Sequence, residues 1–274
     1  MQSVNTNTGA MVALQNLNST STQLQQTQQI ISTGLKVSSA KDDGATYAIA
    51  QSQRAAVSSL DAVKSSLSRS SSVVDVAMSA GDSVTDLLSQ MKEKALAASD
   101  TSLDTTSRSA IKTDFESLRD QITKTLSNAT FNGINILDGA NASISALANS
   151  AGTSTITVTG QNMSLGGSII TVGTTSSFST ATSASNLLTT LDTSINNVSA
   201  ALAKLGTSSK ALSNHANFVG KLQDSLNAGI GNLVDADMAK ESATLQALQT
   251  KQQLGVQALS IANQSTSTVL SLFR

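Results

Sequence analysis

The chain has no cysteine, no proline and no tryptophan, and aromatic residues make up 2% of its 274 positions. Without cysteine, disulfides, thiolate metal sites and cysteine nucleophiles are excluded together. Without proline, the main cause of helix breaks and kinks is gone, so very long helices are permitted. The scarcity of aromatics removes the side chains that usually dominate core and interface energetics. Whatever packs here packs with Leu, Ile, Val, Met and Ala. At 39%, the hydrophobic fraction is low for a globular protein, so a conventional core is not assured.

Charge is scarce as well, and unevenly placed. Seventeen basic and 18 acidic residues give a net charge of -1. That leaves no electrostatic footprint for nucleic acid and no polybasic patch for a membrane surface. Residues 1–35 and 139–191 carry no charged side chain, and from Ser242 onward only Lys251 and Arg274 are charged. Uncharged surfaces tend to associate, so two charge-free ends point to burial against other chains. The first residues lack the basic and apolar regions of a signal peptide, and no run of 18 apolar residues exists. This fits a cytosolic protein, or one exported by a route that needs no cleaved signal.

Heptad spacing is the strongest pattern present. Ala56, Leu60, Val63, Leu67, Ser70, Val74, Ala77, Gly81, Val84, Leu88, Met91 and Ala95 alternate steps of four and three, and only Ser70 and Gly81 interrupt the apolar series. A helix over 45–98 would be roughly 80 Å long at 1.5 Å per residue. Asp42 and Asp43 precede it, and either can cap its free N–H groups. A shorter helix is expected over 105–127, with Ile111, Phe115, Leu118, Ile122 and Leu126 on one face, ending before a turn at Phe131-Asn132-Gly133. The spacing returns from Ala184 with Leu188, Leu191, Ile195, Val198, Leu202 and Leu205, then Leu212, Val219, Leu226 and Ile230. Between the long helices, residues 133–173 hold seven of the sixteen glycines, with strands expected at Thr155–Thr159 and Ile169–Val172.

Both ends are amphipathic without charge. Leu14, Leu17, Ser21, Leu24, Gln28 and Ile31 keep heptad steps near the start, and Met11 lies one turn before them. Leu245, Leu248, Gln252, Gly255, Leu259, Ala262, Thr266, Val269 and Phe273 do so near the end. The element order is nearly palindromic, which predicts a chain that runs out and returns: mainly α, an elongated antiparallel helical rod with paired terminal helices and a small β-hairpin region in the middle.

Nothing in the pattern supports catalysis. His215 is the single histidine, and with no cysteine it forms no recognisable metal set, so a packed or solvated imidazole is the expectation. Asp42 and Asp43 are better caps than an acid–base pair. Gly166-Gly167 lacks the lysine that a phosphate loop would need. No catalytic, cofactor-binding or metal-binding residue is assigned.

The end motifs carry a resemblance. Val4-Asn5-Thr6-Asn7 with Ala10-Met11, then Ser32-Thr33-Gly34-Leu35-Lys36 and Ser39-Ala40-Lys41-Asp42-Asp43, are similar to the flagellin N-terminal signature. Thr130-Phe131-Asn132-Gly133 to Leu137-Asp138-Gly139 resembles that family's link out of its second core helix. Asp235-Ala236-Asp237-Met238-Ala239-Lys240-Glu241, then Gln253-Leu254-Gly255-Val256-Gln257-Ala258-Leu259 and Ala262-Asn263-Gln264, resemble its C-terminal run. The details look most like short alphaproteobacterial flagellins.

The resemblance implies a structural subunit that polymerises with itself, or with other flagellins, into the flagellar filament. It also implies export unfolded through the flagellar type III apparatus and secretion to the extracellular filament. The implied partners are a flagellar chaperone, the export gate, the filament cap and hook-associated proteins, with no nucleic acid, membrane or cofactor. By the same resemblance, residues 1–40 and 235–274 form an inner coiled-coil layer and 41–138 with 186–234 a helical rod. Residues 139–185 form a short variable surface segment whose Ser and Thr residues are candidate carriers of O-linked sugars. The self-assembly seam is then Met11, Leu14, Leu17, Leu24, Ile31, Leu245, Leu248, Leu259, Ala262, Val269 and Phe273. The rod core is Leu60, Val63, Leu67, Val74, Val84, Leu88, Met91, Leu191, Ile195, Val198, Leu202 and Leu205. A hook–filament junction protein and a secreted coiled-coil protein acting on membranes are the rival readings. The second would want Lys or Arg along the polar face of its helices, and the terminal helices lack them.

Overall fold

A computed structural model describes residues 6–271, and side chains as far as Gln264. Val269 and Phe273 of the expected seam lie outside the residues whose side chains are described. The element order is α1 (Thr8–Thr33), α2 (Gly44–Ala98), α3 (Thr105–Asn128), β1 (Ser143–Leu147), β2 (Thr155–Thr159), α4 (Ala181–Val234) and α5 (Met238–Ser271). Two compact units are distinguished. One holds the chain up to Ala55 and from Ser225 on, and the other holds Ala56–Asp224.

In the second unit, α2 and α4 run antiparallel. Gln223 Nε2 donates to Asp61 at 2.8 Å, Leu202 sits over Gly81, and Lys92 pairs with Asp192, so α4 descends as α2 rises. Gly81, an interruption of the heptad in the sequence, is where the helices fit most closely. A Cβ there would come within 2.5 Å of Leu202 Cδ2. Leu60, Val63, Leu67, Val74, Val84, Leu88, Met91, Leu191, Val198 and Leu205 are buried. Ile195 and Leu202 are only half-buried, and α4 instead buries Ser194 and Ala201 one position earlier. The shift has a cause: Ser194 faces the middle segment, where its hydroxyl accepts from Thr171 N at 3.0 Å.

Each helix break is chemically explicit. The carbonyls at the end of α2 are met by the Arg108 guanidinium, which donates to Ala98 O at 3.0 Å and Asp100 O at 2.8 Å. Asp104 caps α3 by accepting from Ser107 N at 2.9 Å. At the turn after α3, Phe131 and Ile134 exchange backbone hydrogen bonds of 3.0 Å around Asn132 and Gly133, both at positive φ.

The expected β-hairpin is present in the middle, but one of its strands is not where the sequence placed it. β2 is the strand over Thr155–Thr159, but its partner is β1, pairing Ser143 with Thr159 through Leu147 with Thr155. Ile169–Val172 is not a strand. Ile170 and Val172 are buried, and the backbone there is served by α4 side chains, Ser194 at Thr171 N and Asn197 at Ser168 O and Ile169 O. A short apolar run therefore packs on a helix instead of entering a sheet. Phe178 packs edge-on against Phe115 with ring centroids 5.2 Å apart, and Arg119 donates to Ser176 O at 3.0 Å. The segment expected at the surface thus has buried residues of its own: Ala146, Val158, Met163, Ile170, Val172 and Phe178.

Gly160 is the tightest point. A Cβ there would lie 2.4 Å from Asn141 O and 3.1 Å from Ile136 O, both backbone atoms that cannot rotate away. Gly160→Ala is expected to destabilise the second unit by about 1–3 kcal/mol, as forced overpacking does. The readout is faster amide exchange across β1 and β2, and a melting curve equal to that of the parent would contradict the close approach.

Candidate assembly surface

The terminal helices meet the long ones at two breaks held side by side. α1 ends at Gly34, whose φ of 70° turns the chain while its N–H bonds Ile30 O at 2.8 Å. Beyond it, Leu35 bridges Asp235, Lys36 N donates to Val234 O at 2.8 Å, and Ala236 N donates to Gly34 O at 2.9 Å. The Lys36 ammonium donates to Asn232 O at 3.1 Å, placing a cation on the last carbonyls of α4. Val37 and Val234 are buried in the same unit. Outgoing and returning chain are therefore tied together where both leave their long helices.

The two aspartates in this link divide the work. Asp43 caps α2, its Oδ1 accepting from Ala45 N at 3.0 Å and Thr46 N at 3.1 Å. Asp42 does not cap α2. Its carboxylate turns back to accept from Ser38 N at 3.0 Å and Ser39 N at 2.9 Å, bracing the link from α1, because Asp43 is the residue adjoining the helix start. At the other break Asp237 caps α5, accepting from Ala239 N at 3.0 Å.

α1 packs antiparallel on α5. Asn7 caps α1 through its Oδ1 to Ala10 N, and its Nδ2 reaches Ala262 O near the far end of α5 at 2.8 Å. Leu17 sits over Gly255, where a Cβ would meet its Cδ1 at 3.3 Å. On α5 the covered line is Leu245, Leu248, Gln252, Gly255, Leu259 and Ala262, with Leu248 buried and the rest half-buried. On α1 it is Ala13, Leu17, Thr20, Leu24, Thr27 and Ile31. Leu17, Leu24 and Ile31 belong to the expected heptad. The intervening places are filled by Ala13, Thr20 and Thr27 in place of Leu14, Ser21 and Gln28. Small residues let the helices approach, and the buried Thr20 hydroxyl is satisfied by Asn16 O at 2.8 Å.

The consequence is that each helix also turns apolar side chains outward, away from its partner. Met11 is 63% exposed, Leu14 47%, Leu254 59% and Ile261 68%, with Val12, Val256 and Met238 also exposed. α1 has no charged side chain at all, and α5 has three, Lys240, Glu241 and Lys251. Met11 and Leu14 lie outside the chain's own helix pair.

Chemistry has no comparable concentration. His215 Nε2 lies 2.7 Å from Ala148 O, which can only accept, so the ring holds its proton on that nitrogen and fastens the hairpin to α4. Ser66, not singled out in the sequence, fastens it from α2 by accepting from Leu147 N at 3.1 Å. Among the described residues no group of three or more His, Cys, Asp or Glu is placed to hold a metal ion, and no helix is long and apolar enough to cross a membrane.

Comparison with known proteins settles what kind of molecule carries this surface. The model of the bacterial flagellin N-terminal helical region matches residues 4–142, and that of the C-terminal helical region matches residues 188–273. The chain belongs to the flagellin family. It is 61% identical to flagellin FljM of Caulobacter vibrioides over 274 residues, covering 100% of this chain and 99% of that one. It is 37% identical to a flagellin of Brucella melitensis, with both chains covered in full. A putative flagellar hook-associated protein from Vibrio parahaemolyticus shares the fold with a TM-score of 0.58 at 16% identity, over 71% of this chain and 100% of that one. Flagellins are structural proteins, the subunits of the bacterial flagellar filament, and this chain is one of them.

The link between α1 and α2 is expected to respond to acid in a defined sense. Backbone hydrogen bonding from Ser39, with help from Ser38, holds Asp42 below the ordinary carboxylate value, and the Thr46 hydroxyl does the same for Asp43. Groups with lowered folded-state values contribute fully above the unfolded value and lose that contribution as pH falls through the lowered one. The Ser38 and Ser39 amides should therefore stay protected in mild acid and exchange rapidly only below the ordinary aspartate range. Asp42→Asn should weaken that protection wherever Asp42 of the parent is ionised, and opening of the parent at a pH well above that range would contradict the assignment.

Proposed function

We propose that the paired terminal helices α1 and α5 are the face through which copies of this chain polymerise. The observation that carries the proposal is the outward apolar line on each helix, Met11 and Leu14 on α1 and Leu254 and Ile261 on α5, both helices being almost without charge. Exposed apolar area of this kind is worth about 25 cal/mol per Å² when covered, and a neighbouring copy offers the same uncharged surface. Leu17, Leu24, Ile31, Leu245, Leu248, Leu259 and Ala262 hold each pair together and act in assembly by presenting that line.

The finer parts of the reading follow from family membership and this chemistry. The subunit is a structural element with no catalytic role, located in the extracellular filament. It reaches that place by export as an unfolded chain, which a sequence free of disulfides permits. A flagellar chaperone that shields the terminal helices, the export gate, the filament cap and hook-associated proteins are its partners besides other flagellin copies.

Leu254→Asp tests the surface without touching the pair within one chain. An unpaired buried charge costs about 3–5 kcal/mol, and each 1.4 kcal/mol is tenfold in an equilibrium constant. The concentration needed for seeded polymerisation should rise by about a hundredfold or more while helix content by circular dichroism is unchanged. Filaments of normal length at the normal concentration would refute the assignment of this face.

A further inference from the structure

The outer side of α2 carries four carboxylates in one line. Asp75, Asp82, Asp86 and Glu93 are all exposed. Their spacing of seven, four and seven residues places them within about 20° of a single line at 100° per residue, opposite the buried stripe through Val74 and Val84. The Asp75 carboxylate accepts from the Ser71 hydroxyl at 3.5 Å, and the other three carboxylates make no ion pair or hydrogen bond among the described residues. Asp82 and Asp86 stand four apart, where like charges oppose helix formation. The line does not converge into a set able to hold a metal ion. It is a row of negative charge without an ion-pair partner among the described residues, and the nearest cation on the same line of α2 is Lys64, eleven residues before Asp75.

Cations in a matching arrangement lie elsewhere in the same unit. Lys210 and Lys221 of α4 are exposed and make no ion pair among the described residues, and they lie opposite the buried stripe through Val198, Leu212 and Val219. They are eleven residues apart, about 16 Å along a helix. That is the separation of Asp75 from Asp86, and again of Asp82 from Glu93. Because each row faces outward from its own helix pair, the two cannot meet within one molecule.

We infer that the acidic line of α2 docks against Lys210 and Lys221 of a second copy of this chain. The contact is heterologous: every copy offers both faces, and such contacts build open helical assemblies instead of closing into dimers. The inference rests on the filament reading and adds to it a lateral contact outside the terminal helices, one that fixes register by charge.

The test is seeded polymerisation at low salt of three variants beside the parent. Asp82→Lys with Glu93→Lys, and separately Lys210→Glu with Lys221→Glu, should each raise the critical concentration at least about tenfold, since like charges then face one another. The chain carrying all four changes restores opposite signs and should return to within about twofold of the parent. Salt should raise the parent's critical concentration, because exposed pairs are screened. The neutral pair Asp82→Asn with Glu93→Gln, which places no new charge on the helix, should abolish most of that salt dependence. Pair variants that assemble like the parent, a fourfold variant no better than either pair, or a neutral variant with the parent's salt response would each overturn the contact while leaving the filament reading intact. A parent chain that forms no polymer would overturn both.

Discussion

The structure depends on one constraint, which is that two amphipathic helices at opposite ends of the sequence, one without charge and one with little, each have more apolar surface than one partner helix can cover. Pairing α1 with α5 buries Leu248 and half-buries Leu17, Leu24 and Leu259, yet leaves Met11, Leu14, Leu254 and Ile261 in water. Ordering a residue costs on the order of 1–2 kcal/mol of backbone entropy before side chains are counted, so a half-covered pair is poorly supported on its own. Association with further copies supplies the missing burial. Folding of the ends and polymerisation thereby draw on the same surface.

The rest of the chain is built on the same helical periodicity. Two helices of 55 and 54 residues carry the chain out and back, uninterrupted because no proline occurs in them. Within the second unit their register is set by local fits, such as Leu202 over Gly81 and Gln223 against Asp61. Four helix ends are closed by side chains: Arg108 on the end of α2, Asp104 on α3, Asp43 on α2 and Asp237 on α5. Polar residues thus place the breaks, and the apolar stripes run between them.

The long helices were legible in the sequence because heptad spacing over many turns has no competing explanation. Helix ends at Ala98, Thr105 and Val234 were legible within a few residues for the same reason, with aspartate and glycine marking the breaks. What escaped were choices between neighbouring positions that hydrophobicity alone cannot rank. The covered stripe of α1 uses Thr20 and Thr27 in place of Ser21 and Gln28, because close approach favours small side chains and the threonine hydroxyl can return to its own helix. Ile169–Val172 carries a β-rich composition, yet its backbone partners are Ser194 and Asn197, far along the chain and invisible to a local reading. Ser66 and His215 hold the hairpin end through single hydrogen bonds that no periodicity announces.

Methionine oxidation offers the most direct measurement of the central claim. Met11 and Met238 are 63% and 42% exposed in the single chain, whereas Met91 and Met163 are fully buried within the second unit. Sulfoxide formation follows exposure, so peptide mapping after brief peroxide treatment reports each site separately. In monomer, Met11 and Met238 should oxidise rapidly and Met91 and Met163 slowly. In filaments the first two should slow by about tenfold or more while the latter two stay unchanged. If Met11 and Met238 oxidise as fast in filaments as in monomer, the outward apolar line is not covered by neighbouring copies and the account of assembly is wrong.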